Sequence, residues 1–386
     1  MREYLLVFFI AVTVTYVLAV VARELAMWTG AYARVRDRDV HEIPIPYFGG
    51  VAMLAGLVVA VLVATKLPAL AEAPSADEIF RDAWVVVAGG AIVCAVGVVD
   101  DIFELDAVTK LAGEVLAAGF VVIQGVQLLW LPLPGERSLS AFSLDGSQAA
   151  LLTVLIIVTT VNAVNFVDGL DGLAAGVVGI GAVAFFSYSV LLTLVNKQES
   201  SATAAILTAA LAGVCLGFLP HNFYPAKMFM GDSGALLIGF MLACSAITLT
   251  GQFSITAVDR GLFGADASLL PALLPLILPV AVLIVPFMDL VLAVIRRTRA
   301  GRSPFAPDKK HIHHRLLEIG HSQRRAVLVM YLWAGLVAFG LVLVGLFSGW
   351  WSAAGLSLMA VVALLLTFGV PGHGGIINAD EEILDD

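Results

Sequence analysis

Asn162-Ala163-Val164-Asn165-Phe166-Val167-Asp168-Gly169-Leu170-Asp171-Gly172 follows directly on the apolar run 149–161. It puts two amides and two carboxylates within ten residues. An Asp at bilayer depth costs about 2.5–3.5 kcal/mol even on a lenient insertion scale. One polar residue would suffice to cap a helix end, so a purely membrane-crossing segment does not account for this stretch. The glycines after each Asp permit tight backbone where a helix would otherwise begin. The expected geometry is a helix end, a short polar turn and a new helix from Leu173. The oxygens of Asn165, Asp168 and Asp171 would then sit at a membrane surface, facing one aqueous pocket.

Composition agrees with a membrane location. The 386 residues are 60% hydrophobic and 13% charged, with a mean hydropathy of +0.98. These values describe an all-α polytopic membrane protein and exclude a soluble domain. At about 20 apolar residues per crossing, the pattern predicts about eleven transmembrane helices, at 5–26, 48–67, 84–99, 108–126, 149–161, 173–195, 202–219, 235–249, 269–295, 326–347 and 351–370. The first run is long enough to span and lacks the basic start of a cleaved leader. Residues 1–372 form one integral membrane domain and 373–386 an acidic tail. Cys94, Cys215 and Cys244 all fall in apolar runs and read as small buried hydrophobes.

An odd number of spans puts the termini on opposite sides. Most of the 21 basic residues then fall on one face: Arg23, Arg34, Arg36, Arg38, Lys110, Lys227 and those from Arg296 to Arg325. The positive-inside rule makes that face cytoplasmic, with the N-terminus outside and the C-terminus cytoplasmic. Four polar loops collect there, and apart from Arg315 none of their residues was counted in the assignment: Asp100-Asp101, Asn162–Asp171, Gly231-Asp232-Ser233-Gly234 and His311-Ile312-His313-His314-Arg315. The ninth span, as a straight helix, would be about 40 Å long against a hydrocarbon core of about 30 Å. Pro271, Pro275, Pro279 and Pro286 predict that it is bent or broken. A bent helix would open a groove for a long-chain lipid, or would simply pack as a kinked helix.

The residue types suggest the chemistry. Adjacent carboxylates such as Asp100 and Asp101 repel unless a cation or Lys110 intervenes. Carboxylate and amide oxygens are the hard ligands that Mg²⁺ prefers. Asp232 between Gly231 and Gly234 can cap the following helix or stand beside a phosphate. Lys309-Lys310 with His311, His313, His314 and Arg315 reads as a topology determinant or as a phosphate clamp. Acidic ligands and basic residues in one pocket make sense if a divalent cation lies between carboxylates and a pyrophosphate. The expectation is metal-dependent phosphoryl transfer to a lipidic acceptor. A transporter would need acids at mid-span and an inverted repeat, and neither is seen.

The order Asp-Asp, Asn-x-x-Asn-Phe-x-Asp-Gly-x-Asp-Gly-Leu, Gly-Asp-Ser-Gly and His-x-His-His-Arg resembles the polyprenyl-phosphate N-acetylhexosamine-1-phosphate transferases, the glycosyltransferase 4 superfamily. The likeness runs from Arg34 to Arg325. Pro307-Asp308-Lys309-Lys310-His311-Ile312-His313-His314-Arg315 is similar to the WecA-like branch rather than the MraY-type muropeptide branch. The Arg296–Ser303 run resembles actinobacterial members. The resemblance implies a multi-pass enzyme of the cytoplasmic membrane that transfers GlcNAc-1-phosphate from UDP-GlcNAc to decaprenyl or another polyprenyl phosphate, releasing UMP. In actinobacteria that step starts assembly of the arabinogalactan linker of the cell wall. It further implies Mg²⁺ or Mn²⁺ held by Asn165 and Asp232, and a catalytic set of Asp100, Asp101, Lys110, Asp168 and Asp171. Asn162, His311, His313, His314 and Arg315 would bind substrate, with no nucleic-acid partner and with a homodimer as one arrangement. Pro44-Ile45-Pro46-Tyr47-Phe48-Gly49-Gly50 departs from the family's Pro-Thr-Pro-Arg-x-Gly-Gly. No phosphate contact is therefore assigned to Ile45 or Tyr47.

Overall fold

A computed structural model describes residues 1–32, 45–134, 139–195, 201–251, 273–284, 323–346 and 350–368. Helices dominate: α1 Arg2–Thr29, α2 Gly49–Ala64, α3 Pro68–Ala71, α4 Ala76–Phe103, α5 Ala107–Ile123, α6 Gly146–Val167, α7 Leu173–Val195, α8 Ala202–Asn222 and α9 Gly231–Gly251. α10 Leu273–Ile284, α11 Gln323–Leu346 and α12 Trp350–Phe368 complete the series. Seven of them, α1, α4, α6, α7, α8, α9 and α11, are long and apolar enough to cross a membrane. Shorter helices stand at the four remaining predicted runs: α2, α5, α10 and α12. α10 stays helical across Pro275 and Pro279. The rest of the predicted ninth span, with its expected bend, lies outside the described residues, as do the His311–Arg315 loop and the acidic tail.

Local chemistry sets the helix boundaries. Asp106 caps α5 by accepting from the backbone N–H groups of Val108 at 3.0 Å and Thr109 at 3.1 Å. The Thr109 hydroxyl, which donates to Asp106 Oδ2 at 2.5 Å, and then these backbone bonds hold its carboxyl below the usual carboxylate range. Asp145 and Gln148 form a capping box at the start of α6. α4 is longer than its predicted run 84–99 because its polar first turns, with the Arg81–Asp82 ion pair at 3.1 Å, are helical as well. Hydropathy reports only the part that hydrocarbon can hold.

Between α5 and α6 the chain forms an antiparallel hairpin, β1 Trp130–Pro134 with β2 Leu139–Ser143, pairing Trp130 with Ser143 and Pro134 with Leu139. Its prolines suit it to a two-stranded ribbon, where each strand has a free edge.

α9 is the centre of the bundle. Its membrane window is wholly buried, and it packs on α2, α4, α6, α7 and α8. A helix apolar on all sides needs such a surround. α8 is sheathed in turn by α1, α2 and α7. The periphery shows large apolar side chains: Phe9 and Val21 on α1, Leu116 and Ile123 on α5, Leu151 on α6 and Leu358 on α12. An apolar exterior of this extent is a lipid-facing surface. The three cysteines are free and buried, as their sequence context predicts.

Candidate active site

The C-terminal ends of α4 and α6 and the N-terminal ends of α5 and α9 meet at one end of the bundle. α4 delivers Asp100 and Asp101, α5 Lys110, α6 Asn165 and α9 Asp232. The Lys110 side chain is 16% exposed, and its ammonium lies 2.9 Å from Asp100 Oδ2. The same ammonium pairs with Asp232 Oδ2. The Asn165 amide, oriented by the groups it faces, donates to Asp232 Oδ1 at 3.1 Å and accepts from Lys110 Nζ at 2.8 Å. The two partners thus settle which end of the amide is which. Three of the polar loops singled out in the sequence therefore share one network, although well over a hundred residues separate Asp100 from Asp232.

The adjacent carboxylates have separate tasks. Asp100 Oδ1 accepts from the Leu105 N–H at 2.8 Å and so ties down the turn into α5. Asp101 faces α9 and accepts from the backbone N–H groups of Asp232 at 2.7 Å and Ser233 at 3.3 Å. The cap of α9 therefore comes from α4. Asp232 was a candidate for that cap, but its carboxylate is turned to Lys110 and Asn165 instead. A carboxylate at a helix N-terminus satisfies orphan donors and meets the positive end of the helix dipole.

Close backbone approach makes this possible. Gly231 has φ 69°, and a Cβ there would lie 2.4 Å from Asp101 Oδ2. A Cβ on Gly97 would lie 2.4 Å from the Ser233 backbone, and one on Gly50 2.3 Å from Gly234 N. The segment after residue 45 is laced to the approach to α9 as well. Phe229 N–H donates to Pro46 O at 3.0 Å, and Gly49 and Gly50 N–H donate to Phe229 O and Met230 O at 3.2 and 3.1 Å. This segment braces α9 through its backbone, without the Thr and Arg that are missing from its sequence.

The turn after α6 has the expected form, with Asp168 as the C-cap of α6 and α7 starting at Leu173. Asp171 is buried, and its Oδ2 accepts from the Ala226 N–H at 2.9 Å. Gly172 N–H donates to Asn222 Oδ1 at 3.1 Å, and Tyr331 of α11 donates to Gly172 O. Asp171 is thus engaged with the loop into α9 and is not turned wholly into an open pocket. Burial, with the carboxylates of Asp232, Asp101 and Asp171 nearby, pushes the Asp168 carboxyl up to about 8. Asn162 lies one turn further back along α6. Its amide donates to Val158 O at 2.9 Å and to the Glu114 carboxylate of α5. Glu114 is 1% exposed and was not singled out in the sequence. The available signal was an acid alone in the run 111–123, which is as conspicuous at membrane depth as the aspartates. His311, His313, His314 and Arg315 lie outside the described residues.

Among the described residues, no three His, Cys, Asp or Glu side chains are grouped to hold a metal ion. The donor chemistry nevertheless fits Mg²⁺, which is commonly bound through one or two carboxylates with waters and substrate phosphates rather than in an all-protein cage. Asp232 and Asn165 carry hard oxygens, one from each on the Lys110 ammonium. Lys110 is the ammonium that answers Asp100 and Asp232, and the carboxylates of Asp101, Asp168 and Asp171 lie close by. Such a group can take up a cation and, through it, a polyanion.

Known proteins resemble this chain over most of its length. Residues 83–250 match the sequence profile described as "Glycosyl transferase family 4". The chain is 45% identical over 344 residues to decaprenyl-phosphate N-acetylglucosaminephosphotransferase of Mycobacterium tuberculosis H37Rv, covering 88% of this chain and 82% of the relative. To the protein of the same name in Mycolicibacterium smegmatis it is 45% identical over 372 residues, with coverages of 95% and 88%. A phospho-N-acetylmuramoyl-pentapeptide-transferase of Desulforudis audaxviator is more distant, at 31% over 365 residues, with coverages of 87% and 96%. The matched region runs from within α4 to the end of α9 and so contains Asp100, Lys110, Asn165 and Asp232. By that match, and by an identity that extends over most of both chains, this multi-pass membrane protein belongs to glycosyl transferase family 4.

Proposed function

We propose that the chain transfers N-acetylglucosamine 1-phosphate from UDP-GlcNAc to a polyprenyl phosphate, decaprenyl phosphate in the first instance, and releases UMP. The supporting observation is the network of Lys110, Asp100, Asn165 and Asp232 at one end of the bundle, in a chain so similar to two enzymes named for that acceptor. In the reaction an oxygen of the lipid phosphate bonds to the sugar-bearing phosphorus. The bond from that phosphorus to the bridging oxygen breaks, and its electron pair leaves on UMP. A phosphate monoester has a second pKa of about 6 and is mostly dianionic at neutral pH. A general base therefore has little to do, and Asp100 and Asp101 serve by holding Lys110 and the start of α9.

Asn165 and Asp232 would hold Mg²⁺, which when bound supplies charge neutralisation to the pyrophosphate. Lys110 would offer its ammonium to the phosphates from its place between Asp100 and Asp232. Asp168 and Asp171 line the approach from the α6–α7 turn. His311, His313, His314 and Arg315 would complete the sugar-phosphate side. The reading includes about eleven crossings, a bent ninth span, an external N-terminus and a site on the cytoplasmic face of the cytoplasmic membrane. The distribution of Lys and Arg supports that orientation.

UMP release by the purified protein with Mg²⁺ and decaprenyl phosphate tests the proposal. Release from UDP-GlcNAc, absent from UDP-MurNAc-pentapeptide and lost in Asp232→Ala, is the expected result. Release from the muropeptide donor alone would keep the chemistry and overturn the donor. No release from either would overturn the reaction.

A further inference from the structure

Lys110 and Glu114 are four residues apart on α5, and Asn162 and Asn165 three apart on α6, so each pair shares one helix face. The helices run antiparallel. Lys110 meets Asn165 and Glu114 meets Asn162, which makes two polar rungs between them. The first rung belongs to the site, and the second lies one turn deeper.

We infer that Glu114 is a positioning residue of this site: through Asn162 it sets the last turn of α6 against α5, so that Asn165 meets Lys110. The inference rests on the transfer reaction proposed above. Both N–H groups of the Asn162 amide are committed, one to Val158 O of its own helix and one across to Glu114. An amide held at two points cannot rotate, and the backbone that carries it cannot slide past α5. A carboxylate that is 1% exposed is costly unless it is hydrogen-bonded, so the contact is worth more formed than broken. Sliding α6 by one residue would move Asn165 by about 1.5 Å along the helix axis and turn it by about 100°. That is enough to break both bonds of its amide. The carboxylate hydrogen-bonds Asn162 and lies one turn along α5 from Lys110, so Glu114 acts through Asn162 and not on substrate.

The experiment compares Glu114→Gln, Glu114→Met, Asn162→Ala and the Glu114→Met/Asn162→Ala double variant as full-length protein in detergent. UMP release and melting temperature are measured on each. Gln keeps an acceptor oxygen for the Asn162 amide and loses the charge, whereas Met keeps the bulk and loses both. Glu114→Met is expected to lower kcat at least about tenfold with donor KM changed less than about twofold, the pattern of a lost transition-state alignment. Glu114→Gln is expected to stay within about threefold of wild type, and the double variant to be within about twofold of the worse single one, as for partners in one contact.

Full activity in Glu114→Met, or multiplicative losses in the double variant, would overturn the inference. An equal loss in Glu114→Gln would overturn it too, by making the charge the operative feature. Backbone hydrogen exchange gives a reading independent of turnover. Faster exchange confined to residues 162–167 in Glu114→Met supports the inference, and unchanged exchange there overturns it. Should the wild type release no UMP, the proposed reaction falls, and the exchange result still decides whether Glu114 orders the end of α6.

Discussion

An ammonium shared by two carboxylates, as Lys110 is by Asp100 and Asp232, keeps like charges together that would otherwise drive their helices apart. Lys110→Met should leave those carboxylates facing one another and remove the ammonium between them. Loss of one preorganised electrostatic group costs about 10²–10³ in kcat, and UMP release should fall by that much. Retention of more than about a tenth of the wild-type rate would contradict the role. Lys110→Arg should recover little, because a planar fork cannot replace a compact point charge. Asp168 gives the pH dependence. Its carboxyl is pushed up to about 8 by burial among Asp232, Asp101 and Asp171. Below about pH 4 it is protonated whether the chain is folded or unfolded. Between about 4 and 8 the unfolded chain gives up the proton and the folded one keeps it, so this residue's contribution to stability declines across that window and levels off above it. A divalent cation answers the same negative charge. The melting temperature of metal-free protein should therefore fall from about pH 6 to about pH 9, with Mg²⁺ raising it more at the higher pH. Asp168→Asn should flatten both trends. An equal Mg²⁺ effect at the two pH values would count against a cation among these carboxylates.

The elements meet where glycines allow it, and a substitution pair isolates that effect. A Cβ on Gly97 would lie 2.4 Å from Ser233 backbone atoms, which no rotamer change relieves. Gly97→Ala should push α9 away from α4, at the cost of about 1–3 kcal/mol typical of overpacking, and should loosen the Asp101 cap. Gly119 of α5 has nothing within 4 Å of its Cβ position. Gly119→Ala should be neutral or stabilise by about 0.5–1 kcal/mol through helix propensity alone. Melting temperatures with UMP release on both variants test this, and equal effects would remove the close approach as the cause. The same comparison shows which features a sequence can reveal. The end of α6, its polar turn and the start of α7 follow from Asn162–Gly172, because the signals are local: amides on one helix face, then Asp-Gly twice. Convergence of the loops at Asp100, Asn165 and Asp232 followed from counting charges by membrane side. The Asp101 cap on α9 did not, since its partner lies 131 residues away in the chain and Asp232 offered a local alternative. Glu114 was lost in an apolar average. The hairpin from Trp130 to Ser143 was hidden by its prolines, which argue against strand wherever both edges must pair.

For the molecule as a whole, the end of the bundle that carries the acids is opposite the end that carries the hairpin. α5 leaves the site at Lys110 and reaches Ile123 before the hairpin, and α6 returns from Gly146 to Asn165. A helix the length of α5 spans about 25 Å, close to the thickness of a hydrocarbon core. If α5 and α6 cross the membrane as a pair, Thr109 and Ser143 lie on opposite sides. The proposed orientation puts the site end on the cytoplasmic side, where a soluble nucleotide-sugar donor would approach the carboxylates without crossing lipid. Thr109→Cys and Ser143→Cys, each made singly, test this in intact cells with a membrane-impermeant maleimide. The native Cys94, Cys215 and Cys244 are buried, so their background should be low. Ser143→Cys should label in intact cells, and Thr109→Cys only after permeabilisation. The reverse pattern would invert the molecule and detach the basic loops from the cytoplasm. Equal labelling of both in intact cells would mean that α5 does not separate two aqueous sides, and the proposed orientation would fall.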